Sequence, residues 1–308
     1  MRLPLFILKS AGSKSWFVPH ALQFLGGPPS PKTVVEPFAG SAVVGLSLLN
    51  EGCAERLVIA EKDKDCLAYW NAALGDPNFS YRVAKWTARV FSLAPEEREQ
   101  FVEESLRQIK SNDPGFWILL QSRVGFNGKK RGGHMKEKGR DGIRSRWPLT
   151  LDASLDLLYS LRKKITVMHD AFDALAACDC EDSYAFVDPP YSTTENCPGH
   201  DLYDEAVIDH DRLHRVLADW KGRWQLTYNA SGATATPLLR VTHSSVKRTV
   251  KIADDGTETV IDSEERILEE VRGVLYRVPG IADDHVQMMS GQGSGGSKKK
   301  VEMVVSKK

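Results

Sequence analysis

The chain has 308 residues, 42% of them hydrophobic and 27% charged, with 41 lysines and arginines balanced by 41 aspartates and glutamates. This composition excludes fibrous, low-complexity and natively unfolded classes, and the length suits one large core or one core with an insertion. A formal charge of zero excludes nucleic-acid binding through net charge alone, so any such affinity has to come from local patches.

In chain order, the apolar run Leu3 to Leu8 is too short for a secretory leader and no stretch is long enough to span a bilayer. The five cysteines lack paired C-x-x-C spacing, which argues against a disulfide framework and against a structural zinc site. The chain therefore reads as intracellular and cytoplasmic, reduced, and without a metal. Lys9, Ser10, Ala11, Gly12, Ser13 and Lys14 form a small turn with two lysines, either an anion-binding loop or a solvated turn, ahead of an amphipathic segment from Trp16 to Leu25. Thr33 to Val35 predict a strand, followed by Glu36, Pro37, Phe38, Ala39, Gly40, Ser41 and Ala42 and an apolar helical run through Leu49. Such a strand, small-residue turn and helix start lets backbone approach a ligand closely. Leu57 to Ala60 predict the next strand. Glu61 at its end lies about twenty residues past the turn, where an acidic side chain can bind ribose hydroxyls; a solvated cluster with Lys62 and Asp63 is the alternative.

From about Gly75 to Ile165 the composition changes over a span too long for a loop, which predicts an inserted subdomain. Pro95 opens a helix with Phe101, Val102, Leu106 and Ile109 at helical spacing, and Asp113 before Pro114 caps another. Phe116 to Leu120 are apolar enough to be buried. Arg123 and Gly125 lead to the tight-turn pair Asn127 and Gly128 and a glycine-rich hairpin signal. From Lys129 to Arg146 eight basic residues (Lys129, Lys130, Arg131, Lys136, Lys138, Arg140, Arg144 and Arg146) face only Glu137 and Asp141. That surplus fits either phosphate neutralisation or an ordinary solvated face.

A helix from Leu151 to Lys164 returns the chain to a strand at Ile165 to Met168. Asp170 and Phe172 then stand at a strand's carboxyl end, where they either edge a ligand ring or, for Asp170, cap the following helix. Tyr184 to Val187 predict a buried strand that stops at Asp188, Pro189, Pro190 and Tyr191. Neither proline has an N–H, so the backbone leaves the ladder with its carbonyls free beside one carboxylate and one aromatic ring. That set suits a planar heterocycle with an exocyclic amine, whose hydrogens the carboxylate and a proline carbonyl accept while the tyrosine stacks.

Residues 192–204 are polar, either a lid over this corner or a surface loop. A helix from Asp209 to Trp220 and a strand from Trp224 to Tyr228, ending at Asn229, follow. Between Arg240 and Met289 the signals are sparse: Asp255 and Gly256 suggest a hairpin, and Ser263 with Glu264 and Glu265 suggests a helix start. Ser290 to Ser297 read as a Gly/Ser linker, and Lys298 to Val305 as a basic arm and final strand.

Asp188 to Tyr191 resemble the D-P-P-Y motif of the amino-methyltransferases, and Phe38 and Gly40 resemble their F-x-G-x-G cofactor loop, with Ala42 at the last glycine. The opening turn is similar to the K-W-A-G-G-K of the DNA adenine methylase (Dam) family: Ala11, Gly12 and Lys14 match, Ser10 replaces the tryptophan and Ser13 a glycine. Arg123 to Gly128 resemble that family's R-x-G-F/Y-N-G segment, and the lysine-rich arm its N-G-G-T-R-K-K-V. The resemblance implies an α/β fold: a Rossmann-like methyltransferase sheet with helices on both faces. It also implies a cofactor-binding catalytic domain over 1–74 and 165–308, and an inserted, largely helical DNA-recognition subdomain with a basic hairpin over 75–164. It implies methyl transfer from S-adenosylmethionine to the N6 amine of an adenine flipped out of double-stranded DNA, in a protein of bacterial or phage type, and it admits a companion restriction nuclease. By the resemblance Asp188, Pro189, Pro190 and Tyr191 carry the chemistry. Ser10, Ala11, Gly12, Lys14, Glu36, Pro37, Phe38, Gly40, Ser41, Glu61, Asp170, Phe172 and Asp188 hold the cofactor. Arg123, Asn127, Lys129, Lys130, Arg131, Lys136, Arg140 and Arg144 bind DNA. Methylation of the cytosine N4 amine, and a silent DNA-binding paralogue, are the alternatives.

Overall fold

The computed structural model describes residues 7–9, 13–26, 31–125, 142–190, 208–229, 241–252, 258–271, 286–292 and 299–307. Five strands run parallel: β1 (Thr33–Glu36), β2 (Arg56–Ala60), β3 (Ile165–Met168), β4 (Ser183–Val187) and β5 (Arg223–Asn229). With β8 (Val286–Gln292) and β9 (Lys299–Lys307) they form one sheet in the order β3-β2-β1-β4-β5-β9-β8, in which β9 is antiparallel to both neighbours. The order reverses between β1 and β4, which leaves a crevice at their carboxyl ends, the usual ligand position in a doubly wound sheet.

Both faces of the parallel strands are covered, which is why they read as apolar runs rather than as alternating ones. On one face Val34, Leu57, Ile59, Tyr184 and Phe186 pack under α1 (Val18–Leu25), α2 (Val43–Asn50), α3 (Lys64–Gly75), α4 (Phe79–Ser92), α5 (Pro95–Asn112), α6 (Pro114–Val124), α7 (Ile143–Arg146) and α8 (Leu151–Ser160). On the other face Val35, Ala60, Ala185, Val187, Trp224 and Leu226 pack under α9 (Ala171–Ala177) and α10 (His210–Asp219). The strand period of two thus sends Glu36 to the first face with Val34, and Asp188 to the same face with Tyr184 and Phe186.

Between 75 and 164 the described chain is helical, and its buried side chains, among them Phe79, Trp86, Phe116 and Trp147, belong to the same apolar cluster as Val34 and Leu57. Asp113 caps α6 by accepting from the Phe116 N–H at 3.1 Å, as Asp-Pro predicts. The helix expected over 151–164 ends at Ser160, and Arg162–Lys164 form a 3-10 turn.

Two expectations fail near the carboxyl end. Ser263, Glu264 and Glu265 lie in β7 (Glu258–Val271), which pairs antiparallel with β6 (Val241–Ile252) in a separate two-stranded sheet, not at a helix start. The register sets Ser263 opposite Arg248, Glu264 opposite Lys247 and Glu265 opposite Val246, so this segment pairs as a strand. Asp255 and Gly256, where a hairpin is expected, lie outside the described residues. Ser290, Gly291 and Gln292 belong to β8 and not to the linker, because their backbone pairs with Val301, Lys300 and Lys299 of β9.

Candidate active site

Glu36 ends β1 and is 4% exposed. Its Oε2 accepts the Gly45 N–H of α2 at 2.7 Å. A Cβ at Gly45 would stand 2.8 Å from that oxygen and 2.5 Å from Leu57 Cδ1, so only glycine brings the helix backbone this close. Burial pushes the Glu36 carboxyl up to about 8; the Asp188 carboxylate adds to the rise, and the Gly45 N–H and the Lys14 ammonium oppose it.

The turn after Glu36 is built from backbone. Gly40 and Ala42 both take left-handed conformations, φ 48° and 46°. Ala42 N–H donates to the Ala39 carbonyl at 2.6 Å, and Ala39 N–H to the Ala60 carbonyl at 3.0 Å, which ties the turn to the end of β2. Ala42 stands where the resemblance has a glycine, and its positive φ supplies the reason for glycine there. Glu61 reaches across from β2: one oxygen accepts the Gly40 N–H at 2.9 Å and the other the Asp63 N–H at 2.8 Å. Trp70 Nε1 donates to the Gly40 carbonyl at 3.2 Å and fixes the turn from above. Pro37 and Ser41 are buried, and Phe38 packs partly against the second core.

Asp188 follows β4 directly, at the edge of the crevice. Lys14 Nζ stands 2.9 Å from its Oδ2, with the lysine side chain 4% and the aspartate 21% exposed. Thr227 Oγ1 donates to its Oδ1 at 2.6 Å. Thr227 has no signal in the sequence; it arrives because β4 and β5 pair with Val187 beside Leu226, which brings the next residues together. Lys14 is placed by a 3-10 turn, Ser15–Phe17, whose Phe17 ring lies 4.9 Å from that of Phe186 beneath the pocket. Ser13 Oγ beside it is buried and has no hydrogen-bond partner among the described residues. Pro189 is buried and Pro190 half-buried, and the strand ends before them.

Asp170 caps α9, its Oδ1 accepting from Phe172 N–H at 2.8 Å and Asp173 N–H at 3.1 Å. The Arg212 guanidinium lies 4.0 Å from the centre of the Phe172 ring.

Glu36, Gly40, Glu61, Lys14 and Asp188 therefore converge on the crevice between β1 and β4. Arg123 does not join them and is not turned outward: it is 6% exposed, and burial lowers its guanidinium to about 10. Arg144 is exposed, with its guanidinium 5.5 Å from the Phe91 ring centre. Ser10, Ala11, Gly12, Asn127, Lys129, Lys130, Arg131, Lys136, Arg140 and Tyr191 lie outside the described residues, as does the 192–204 stretch. Among the described residues no cluster of three histidine, cysteine, aspartate or glutamate side chains could hold a metal ion, and no helix is long and apolar enough to cross a membrane.

A carboxylate bounded by prolines, facing a buried carboxyl and a backbone-lined turn, can accept hydrogens from an amine and hold a charged ligand beside it. A model of the D12 class N6 adenine-specific DNA methyltransferase family matches residues 10–265. No curated protein matches the chain at a significant level.

Proposed function

The chain belongs to the D12 class N6 adenine-specific DNA methyltransferases, and on that premise we propose that it binds S-adenosylmethionine in the β1–β4 crevice and presents a flipped adenine to it at Asp188. The methyl goes to an adenine amine of DNA, and the family does not favour the cytosine amine. The donor set fits the cofactor: a backbone-lined turn at Gly40 and Ala42, the buried Glu36, Glu61 at the next strand end and the Ser13 hydroxyl, buried and without a partner among the described residues. Ser10, Ala11, Gly12, Lys14, Pro37, Phe38, Ser41, Asp170 and Phe172 complete the proposed binding set. Bound there, S-adenosylmethionine supplies an electrophilic methyl group on a sulfonium sulfur.

The chain's own residues do the rest. An adenine amine is a poor nucleophile because its lone pair is delocalised into the ring. Asp188 Oδ and a carbonyl of the proline pair each accept one amine hydrogen, which favours a pyramidal nitrogen aimed at the methyl group. Tyr191 stacks on the base. The single observation that carries this reading is the Lys14 ammonium on Asp188 Oδ2, a donor standing where an amine hydrogen would sit. The base therefore has to share or displace that ammonium, with Thr227 keeping the carboxylate oriented from the other oxygen.

Residues 1–74 and 165–308 are assigned to the cofactor and the chemistry, and 75–164 to DNA recognition. Within that span Asn127, Lys129, Lys130, Arg131, Lys136, Arg140 and Arg144 contact double-stranded DNA through its phosphates and bases. The test is mass analysis of nucleosides after incubation of random-sequence duplex with isotope-labelled cofactor. Labelled N6-methyladenine is expected; labelled N4-methylcytosine, or no labelled base, overturns the reading.

A further inference from the structure

Glu36 stands in a group of charges drawn from three segments: β1, the turn before α1 and the end of β4. Val35 pairs with Ala185, which sets Glu36 beside Phe186, two residues before Asp188 on the same face. The Phe17 ring against Phe186 brings in the turn that carries Lys14, whose Nζ lies 2.9 Å from Asp188 Oδ2. Asp188 and Lys14 both act on Glu36 through their fields. Tyr184, on the same face of β4, is buried with its hydroxyl donating to Gln225 Oε1 at 2.7 Å. Burial and then the field of Glu36 raise the Tyr184 pKa well above its ordinary value. From α2 comes the Gly45 N–H and no titratable side chain, and from β2 comes Leu57. Among the described residues, Lys14, Asp188 and Tyr184 are thus the titratable groups that face Glu36.

Charge balance decides what this group can hold. With Glu36 protonated, the Lys14 ammonium and the Asp188 carboxylate leave the group neutral, and burying a net charge is expensive. A cation brought to a nitrogen held at Asp188 enters a field that Glu36 already feels from Asp188, and an opposite charge nearby favours the carboxylate. Loss of the Glu36 proton then keeps the crevice neutral, with the Gly45 N–H already donating to the oxygen that becomes charged. A neutral sulfur calls for no such change. One methyl group offers little surface to recognise, and the charge that accompanies it is the larger difference between the methylated and demethylated ligands. Resting on the proposed cofactor site between β1 and β4, we infer that Glu36 is a specificity-determining residue that reads this charge: it releases its proton when the bound sulfur is a sulfonium and keeps it when the sulfur is a neutral thioether. Because burial pushes the carboxyl up to about 8, the proton is present at neutral pH in the ligand-free protein and is there to be released.

Titration calorimetry of the full chain in buffers of different ionisation enthalpy counts the protons released on binding, without DNA or turnover. At about pH 7 the wild type is expected to release about half a proton or more per S-adenosylmethionine bound, and close to none per S-adenosylhomocysteine. Its preference for the first ligand over the second is expected to rise about fivefold from about pH 6.5 to about pH 8, as the carboxylate form becomes more populated. Glu36→Gln is expected to bind both ligands without that release and without that rise; titration that belongs to the ligands is common to both proteins and drops out of the comparison. Equal release with the two ligands would mean that Glu36 answers the amino-acid end they share, and overturns the inference. Release absent with both, or persisting in Glu36→Gln, overturns it as well. The contrast between the two ligands on the wild type decides the matter if Glu36→Gln does not fold. A wild type that binds neither ligand contradicts the proposed cofactor site itself, whereas the inference fails alone when both ligands bind, so the two failures are distinguishable.

Discussion

Glu36→Gln in the cofactor-free protein isolates the consequence of burying a carboxyl beside Asp188. The carboxyl titrates near 4.5 in the unfolded chain and is pushed up to about 8 in the fold, chiefly by desolvation. A proton is therefore held by the folded state and released by the unfolded one between those values, and stability falls as pH rises through that window. At about 1.4 kcal/mol per pH unit, the folded state loses on the order of 4 kcal/mol between pH 5 and pH 9 from this group. Glutamine keeps the shape and an acceptor for the Gly45 N–H but has nothing to ionise. Denaturant unfolding at a series of pH values is the assay. The variant should match wild type near pH 5 and exceed it by a few kcal/mol at pH 9, with a flatter profile. An unchanged slope in Glu36→Gln would show that some other group carries the pH dependence and that Glu36 is not desolvated as described.

Other substitutions test the pocket's walls. Gly45→Ala drives a Cβ against Leu57 and the Glu36 carboxyl and is expected to cost about 1–3 kcal/mol, read by thermal unfolding. Ala42→Gly relieves a left-handed alanine and is expected to stabilise by about 1 kcal/mol, and a lowered melting temperature would speak against strain at that turn. Replacing Lys129, Lys130 and Arg131 with alanine should flatten the dependence of DNA affinity on salt by roughly 0.9 in the log–log slope for each phosphate no longer neutralised. An unchanged slope would remove the basic stretch from the DNA interface.

Much of the fold is visible in the chain because parallel, doubly covered strands are short apolar runs. Val34, Leu57, Ile165, Tyr184 and Trp224 each mark one, and each strand ends in, or is followed at once by, a polar residue at the carboxyl edge of the sheet. What the sequence hides is lateral. Thr227 meets Asp188 only through the register of β4 and β5, which no local pattern encodes. Arg123 sits next to a basic run and so reads as part of it, whereas its place on the buried end of α6 turns its donors to Ile7 and Arg146. Ser263 to Glu265 imitate a helix start, but the register of β7 against β6 places them inside a paired strand. Asp170 could be placed at a strand end from sequence, and the fold adds its capping role by showing which N–H groups it accepts.

The most direct measurement is single-turnover methyl transfer by Asp188→Asn, with cofactor binding followed in parallel. Asparagine keeps the shape but replaces a charged acceptor with a neutral amide, so the rate should fall at least about a thousandfold while the cofactor still binds. Transfer at the wild-type rate would contradict the claim that this carboxylate holds the adenine amine.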